Sequence, residues 1–375
     1  MNRPLPTRST WLSDAEFTRR LIARAVTTER IEQALAGLTA GALPFNTVSA
    51  GLGGLARITI TGVLGRPRVR PHYDREDAFA VTIPATLEFT VSLGAESHVG
   101  ADVEIDLALT PRPADALLVV IDVAPVRAAD VRIELRGGGL GATIAPIMAL
   151  ALDEVRRQIA RSVSVLLNSS RLRAGRTIDV GARVDGRADP GPPPDEWVWI
   201  DDTTFGERFL RRAVTVERLT TGFGNLAGTP LSFGPLSAGP RDMATVSAAG
   251  AVGLPVVAAR EDEGARFDVA IPIELDLVLA VGRENRYHAS IRVGLATRVK
   301  PADPLLLVLH IAPITVDDVT LELEAAGRMA RVLGRLGNIE DQLRAQVVSA
   351  VNTRLADRSA RTFDIGARID AASAK

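Results

Sequence analysis

Sliding the chain along itself by 188 positions superposes residues 11–135 on 199–323 without a gap, and 44 of the 125 aligned positions are identical. Trp11 falls on Trp199, Phe17 on Phe205, and Arg24-Ala25-Val26-Thr27 on Arg212-Ala213-Val214-Thr215. Near the end of each copy the offset drops to 185, where RTIDVGAR (176–183) meets RTFDIGAR (361–368). A duplication of this length dictates one topology used twice. It divides the chain into a first repeat over 1–185, a Pro/Gly-rich linker over 186–196 (GRADPGPPPDE) and a second repeat over 197–375. Three consecutive prolines in that linker predict an extended, stiff spacer. The length of 375 residues, beyond the usual single-domain size, agrees with two domains.

Within a repeat the hydrophobic period changes twice. An opening helix is predicted from the capping pattern Ser13-Asp14-Ala15-Glu16, with Asp201 as the cap in the second copy, and from the apolar stripe Phe17, Leu21, Ala25 and Ile31. After a Gly-rich passage the period becomes 2. Phe79, Val81, Ile83, Ala85, Leu87, Phe89, Val91 and Leu93 alternate with mostly polar residues, and Phe267, Val269, Ile271, Ile273, Leu275, Leu277, Leu279 and Val281 repeat the pattern. Fifteen such residues extend roughly 50 Å, about three times a usual strand. Shorter alternating runs follow at 103–109, 116–123 and 131–135, which implies an antiparallel meander with one buried face. Pro84 and Pro272 cannot donate to a ladder and are expected at an edge or a bulge.

The period then returns to 3.6. Ile144, Met148, Leu152, Val155, Ile159, Val163 and Leu166 predict a helix from Ala142 to Asn168, matched by Met329, Val332, Leu336, Ile339, Leu343, Val347 and Val351. At 1.5 Å per residue that helix is about 40 Å long, comparable with the strands. A closing strand is predicted with Ile178, Val180, Ala182 and Val184 on one face. The fold class is therefore α+β: two tandem duplicated modules, each a long curved antiparallel sheet wrapped around a long amphipathic helix.

This organisation resembles the tubular lipid-binding (TULIP) superfamily, and the tandem pair resembles the bactericidal/permeability-increasing-type proteins. The resemblance spans Trp11–Asp185 and Trp199–Asp370. It implies an apolar groove in each repeat that takes lipid acyl chains, by binding or transfer and without catalysis. Its expected lining is Phe79, Val81, Ile83, Ala85, Leu87, Phe89, Met148, Leu152 and Val155 in the first repeat. In the second it is Phe267, Val269, Ile271, Ile273, Leu275, Leu277, Leu336, Ile339 and Leu343. The secreted members of that family carry signal peptides and a disulfide. This chain has no apolar run of signal-peptide length near Met1 and no cysteine, so a cytoplasmic, bacterial-type relative is expected.

Composition removes other classes. With 44 basic and 45 acidic residues the net charge is −1, which lacks the electrostatic footprint of a nucleic-acid binder. The absence of cysteine excludes thiolate metal sites and cysteine nucleophiles. No run of about 18 apolar residues occurs, so no transmembrane segment is expected, although the lipid reading allows transient membrane contact. His72, His98, His288 and His310 fall opposite Arg260, Arg286, Gly100 and Asp122, so none is duplicated and none stands at metal-ligand spacing. Surface or packing roles are expected of them, with no catalytic residue, no metal and no cofactor. The glycine run 137–141 lacks the Lys-Ser/Thr of a phosphate cradle and reads as a loop entering the long helix. The duplicated Arg24, Glu29, Arg30, Asp179 and Arg183 read as ion pairs tying the first helix to the closing strand, or as contacts to lipid phosphates. Periodicity leaves one alternative open: the stripes form a dry core, and each repeat is a structural or protein-interaction module without a ligand.

Overall fold

The computed structural model describes residues 11–38, 48–50, 56–93, 95–136, 144–187, 193–238, 244–260, 265–281, 283–325, 338–356 and 361–373. These belong to two compact units: Thr18–Phe205 with Ala371–Lys375, and Met1–Phe17 with Gly206–Asp370. The glycine run 137–141, Met329, Val332 and Leu336 lie outside the described residues.

In the first repeat, α1 (Asp14–Ala25) and α2 (Thr28–Leu35) precede β1 (Val48–Ala50), β2 (Ala56–Leu64), β3 (Arg68–His72), β4 (Arg75–Leu93), β5 (Ala95–Ala114), β6 (Leu118–Val123) and β7 (Val131–Leu135). The long helix α3 (Ile144–Leu167), α4 (Ser170–Gly175), β8 (Thr177–Asp179) and α5 (Val180–Val184) complete it. The sheet runs β1-β2-β4-β5-β6-β8, with β3 also on β4 and β7 also on β5, and every pairing is antiparallel. The second repeat has α6 (Asp202–Ala213), α7 (Val216–Gly224), β9 (Pro230–Ala238), β10 (Ala244–Val252), β11 (Val256–Ala259), β12 (Arg266–Val281), β13 (Arg283–Ala302), β14 (Leu306–Ile311), β15 (Val319–Ala325), α8 (Asn338–Leu355), β16 (Thr362–Asp364) and α9 (Ile365–Ser373). Its sheet has the same order, β9-β10-β12-β13-β14-β16. Both sheets are curled, and the α+β class with two tandem modules holds.

The long strands explain how one helix can serve a whole sheet. β4 has 19 residues and β5 has 20, paired without a break from Phe79↔Leu109 to Leu93↔Ala95. Their alternation points Ile83, Leu87 and Phe89 inward at 0% exposure, while Glu88 is exposed. α3 packs against both β1 and β7, and α8 against β9 and β15, so each helix spans the hollow of its own sheet. No helix among the described residues is long and apolar enough to cross a membrane.

Pro84 does not sit at a sheet edge. Its carbonyl accepts from Gly65 N at 2.7 Å, and the N–H and C=O of one strand residue point the same way. The missing donor therefore falls in the gap where β2 ends and β3 begins. Pro272 repeats this with Gly253 N at 2.8 Å. A Cβ at Gly65 or Gly253 would come within 3.1 or 3.0 Å of the proline ring, which is why the chain turns on glycine there.

The closing element differs from expectation. Only Thr177–Asp179 and Thr362–Asp364 are strand. Asp179 Oδ1 accepts from Ala182 N at 2.7 Å and starts α5, so Val180 and Ala182 are buried on a helical turn instead of one strand face. The opening helix is likewise two: Thr27 caps α2, and Thr215 caps α7. The duplicated arginines serve this break. Arg30 donates to Ala25 O, and Arg218 to Ala213 O at 2.8 Å, capping the preceding helix.

Candidate functional site

The two repeats place equivalent side chains around the hollow, and they fill it differently. In the first repeat Ile31, Leu35, Leu38, Leu64, Ile121, Ile159, Val163 and Leu167 are all between 0 and 3% exposed. Their counterparts at an offset of 188 are Leu219, Phe223, Leu226, Val252, Leu309, Val347, Val351 and Leu355. These line a cavity of about 170 Å³, together with Leu231 and Phe233 of β9, Ile271 and Ile273 of β12, and Phe363 of β16. Leu226, Val252, Val351 and Leu355 are partly exposed. Arg218, Arg354 and Arg361 add charge to an otherwise apolar wall.

Side-chain size changes in both directions: Leu64 and Ile159 become the smaller Val252 and Val347, while Leu35 becomes the larger Phe223. The sequences also differ in the segment after the long helix. Eight residues (168–175) follow it in the first repeat and five (356–360) in the second. The last six of those eight form α4, which packs on α2 and whose Leu172 is 3% exposed. The fit is close: a Cβ on Gly37 would meet Leu172 Cδ2 at 3.4 Å, and one on Gly175 would meet Ala34 O at 3.1 Å. The second repeat has Asn225 and Ala360 at those glycine positions, and no leucine in ADRSA (356–360).

One arginine holds the same place in both. Arg176, 2% exposed, donates to Ile121 O at 3.0 Å and Leu167 O at 2.9 Å. Arg361 donates to the matching Leu309 O at 3.4 Å and to Leu355 O. Burial pushes the Arg176 guanidinium down from its ordinary value, with Asp122 opposing that shift.

A second recess of about 850 Å³ shares Leu309, Leu355 and Arg361 with the apolar cavity. Its other walls include Trp11, Lys300, Val308, His310 and Asn352. Trp11 is seated here by an isolated bridge to Ala302 and by packing on Ala302, Leu306 and Val308. Lys300 Nζ stands 5.6 Å from the centre of its ring, and the His310 ring meets it edge-on at 6.2 Å. The equivalent arm of the other unit bridges Trp199 to Ala114, with Trp197 and Trp199 packed on Ala114, Leu118 and Val120. There Arg112 lies 4.2 Å over Trp199 and pairs with Asp122 at 3.3 Å. Next to this arm, Arg173 donates to Pro194 O at 2.6 Å, the last proline of the stretch read as an extended, stiff spacer.

Of the residues expected to line a ligand groove, Ile271 and Ile273 line the cavity. Val81, Ile83, Ala85, Leu87 and Phe89 are buried in the first sheet, and Phe79 is half-buried. Phe267, Val269, Leu275 and Leu277 are buried along β12. Val155, Ile339 and Leu343 are buried on the long helices, with Leu152 half-buried and Met148 within α3. The walls missed from the sequence come from α7, β9, β10, β14, β16 and the end of α8, and those on β9 fall in the Gly-rich passage that carries no clear period. A signal was present there: Leu38, Leu43 and Phe45 are identical to Leu226, Leu231 and Phe233 across otherwise divergent stretches.

Apart from His310, the histidines line neither hollow. His72 accepts from Asp74 N at 3.2 Å, His98 contacts Thr90 at 3.2 Å, and His288 bridges Asp276 at 3.1 Å and Glu274 at 3.0 Å. Among the described residues no group of three or more His, Cys, Asp or Glu is arranged to hold a metal ion.

No family model and no curated protein matches the chain. Among solved structures it is similar to lipopolysaccharide binding protein, with 9% identity and a TM-score of 0.32 over 92% of this chain and 91% of that one. It is also similar to P47 of Clostridium botulinum E1, at 7% identity and a TM-score of 0.27 over 91% and 87%. P47 from Clostridium botulinum A2 aligns at 10% identity and a TM-score of 0.22 over 90% and 85%. These scores are low, and the chemistry of the site rests on this chain's own residues.

Proposed function

We propose that the protein binds a hydrophobic ligand, the acyl chain of a lipid, in the apolar cavity of its second repeat, and carries or shields it without chemical conversion. The observation that supports this reading is the contrast between copies. The same register of apolar positions is buried with Leu172 in one repeat and lines a cavity in the other. An apolar cavity of about 150 Å³ stays dry and accepts a small apolar molecule. A cavity of about 170 Å³ therefore suits one chain segment, and removing that segment from water contributes about 25 cal/mol per Å². We place this activity in the cytoplasm, with transient membrane contact as the source of the ligand.

Native mass spectrometry of protein purified without detergent tests the proposal. The parent is expected to retain an added mass of lipid size. Val351→Trp, which fills the cavity from α8, is expected to lose that mass while melting within a few degrees of the parent. A bare parent that also fails to take up added dodecanoate would leave the dry interaction module as the reading.

A further inference from the structure

The duplication supplies an occupied copy of the recess. In the unit built on the first repeat, the apolar patch of Ala114, Leu118 and Val120 carries two rings, Trp197 and Trp199, with centres 6.0 Å apart and planes at 40°. The Trp197 ring also lies 4.7 Å from the Arg173 guanidinium and 5.6 Å from that of the buried Arg176. In the unit built on the second repeat, the equivalent patch of Ala302, Leu306 and Val308 carries Trp11. Trp11 is the counterpart of Trp199, whereas the counterpart of Trp197 is Ser9.

The recess of about 850 Å³ stands where that second ring is missing. Val120 and Arg176 border Trp197, and their counterparts Val308 and Arg361 both line the recess beside Trp11. Leu309, Ile311 and Leu355 extend its apolar wall. The second unit has thus kept the seat and one of the two tryptophans, and the place of the other indole is open.

We infer that the recess binds a neutral, planar aromatic molecule of about the size of an indole, seated as Trp197 is seated in the other unit. The bound ring packs at an angle on Trp11, with Val308 beside it. Burying such a ring removes roughly 150–250 Å² from water, and pairing it with a second aromatic adds affinity beyond that area. An uncharged ring asks for room and an apolar wall, not for a free charge. The recess adjoins the acyl-chain cavity at Leu309, Leu355 and Arg361 but is a separate site, which a ring can fill whether or not the cavity holds a chain.

A fluorine NMR titration of the full chain with 5-fluoroindole tests this. The probe is expected to saturate at one molecule per chain. Unlabelled indole and quinoline should displace it about tenfold more effectively than cyclooctanol, an apolar ring that is not planar. Ala356→Trp, which fills the recess from just beyond α8, should weaken binding about tenfold or more, as a close-packed site rejects added bulk. Val351→Trp, which fills the acyl-chain cavity, should leave 5-fluoroindole binding unchanged. Melting curves verify that both variants are folded, and Ala356→Leu replaces the first if it is not. Absence of binding, or displacement by cyclooctanol as effective as by indole, would overturn the inference. So would binding that survives filling of the recess, and loss of the signal in Val351→Trp alone would place the ring in the apolar cavity instead. Lipid retention is read separately by native mass spectrometry, so a bare protein there removes the acyl-chain reading and leaves this one standing.

Discussion

Leu87 and Leu275 sit mid-strand at 0% exposure, each beside an exposed acid, Glu88 or Asp276. Alternation thus separates two environments at neighbouring residues. Leu87→Asp or Leu275→Asp buries a carboxylate without a partner and is expected to cost several kcal/mol, whereas Glu88→Lys should be neutral. Thermal denaturation reads both outcomes, and an unshifted Leu87→Asp curve would refute the facing. His288 offers a residue-scale test in solution. Its hydrogen bond to Asp276, supported by Glu274, holds its pKa above the ordinary 6.5. The protonated form is the one favoured by the fold, so the pair's contribution is complete below the unfolded pKa and fades as pH rises through the folded one. An NMR titration is expected to show His288 losing its proton at higher pH than the unfolded reference. Asp276→Asn should move that midpoint down.

At the scale of elements, whatever depends on periodicity was legible from residues alone. The eight alternating apolar positions from Phe79 to Leu93 identified β4, and the 3.6-residue spacing from Ile144 to Leu166 placed α3 within two residues of its ends. Short elements with competing local bonds were not legible. Ile178-Asp179-Val180-Gly181-Ala182 alternates like a strand, yet the Asp179 carboxylate captures the Ala182 amide and starts a helix, an outcome that side-chain hydrophobicity does not encode. The cavity was hidden for another reason. Periodicity marks which side chains face inward but not whether they meet, so Ile83 and Ile271 look the same in sequence. The legible clue was the three-residue shortening after the long helix, which removes the counterpart of Leu172. Leu172→Ala is accordingly expected to destabilise the first repeat by about 2–5 kcal/mol. The variant should also create a second apolar binding site. Equilibrium titration with 1-anilinonaphthalene-8-sulfonate, alongside urea denaturation, checks both effects, and an unchanged probe stoichiometry would show that Leu172 is not the plug.

At the scale of the whole molecule, the repeats seen in sequence and the compact units of the structure have different boundaries. Units change within α1, between Phe17 and Thr18, and within α6, between Phe205 and Gly206. Trp11 therefore completes the unit built on the second repeat, and Trp199 the unit built on the first. The hydrogen bonds are reciprocal: Leu12 N donates to Pro301 O at 3.1 Å, and Ile200 N to Pro113 O at 3.3 Å. A gene fragment ending at the linker would encode one arm without its acceptor and one acceptor without its arm, with Ala114, Leu118 and Val120 stripped of their tryptophans. Neither copy is then a portable module. Recombination that moved or deleted one half would leave the other with a bare apolar scar, so after the duplication the two halves could diverge in what they hold but could no longer be inherited apart.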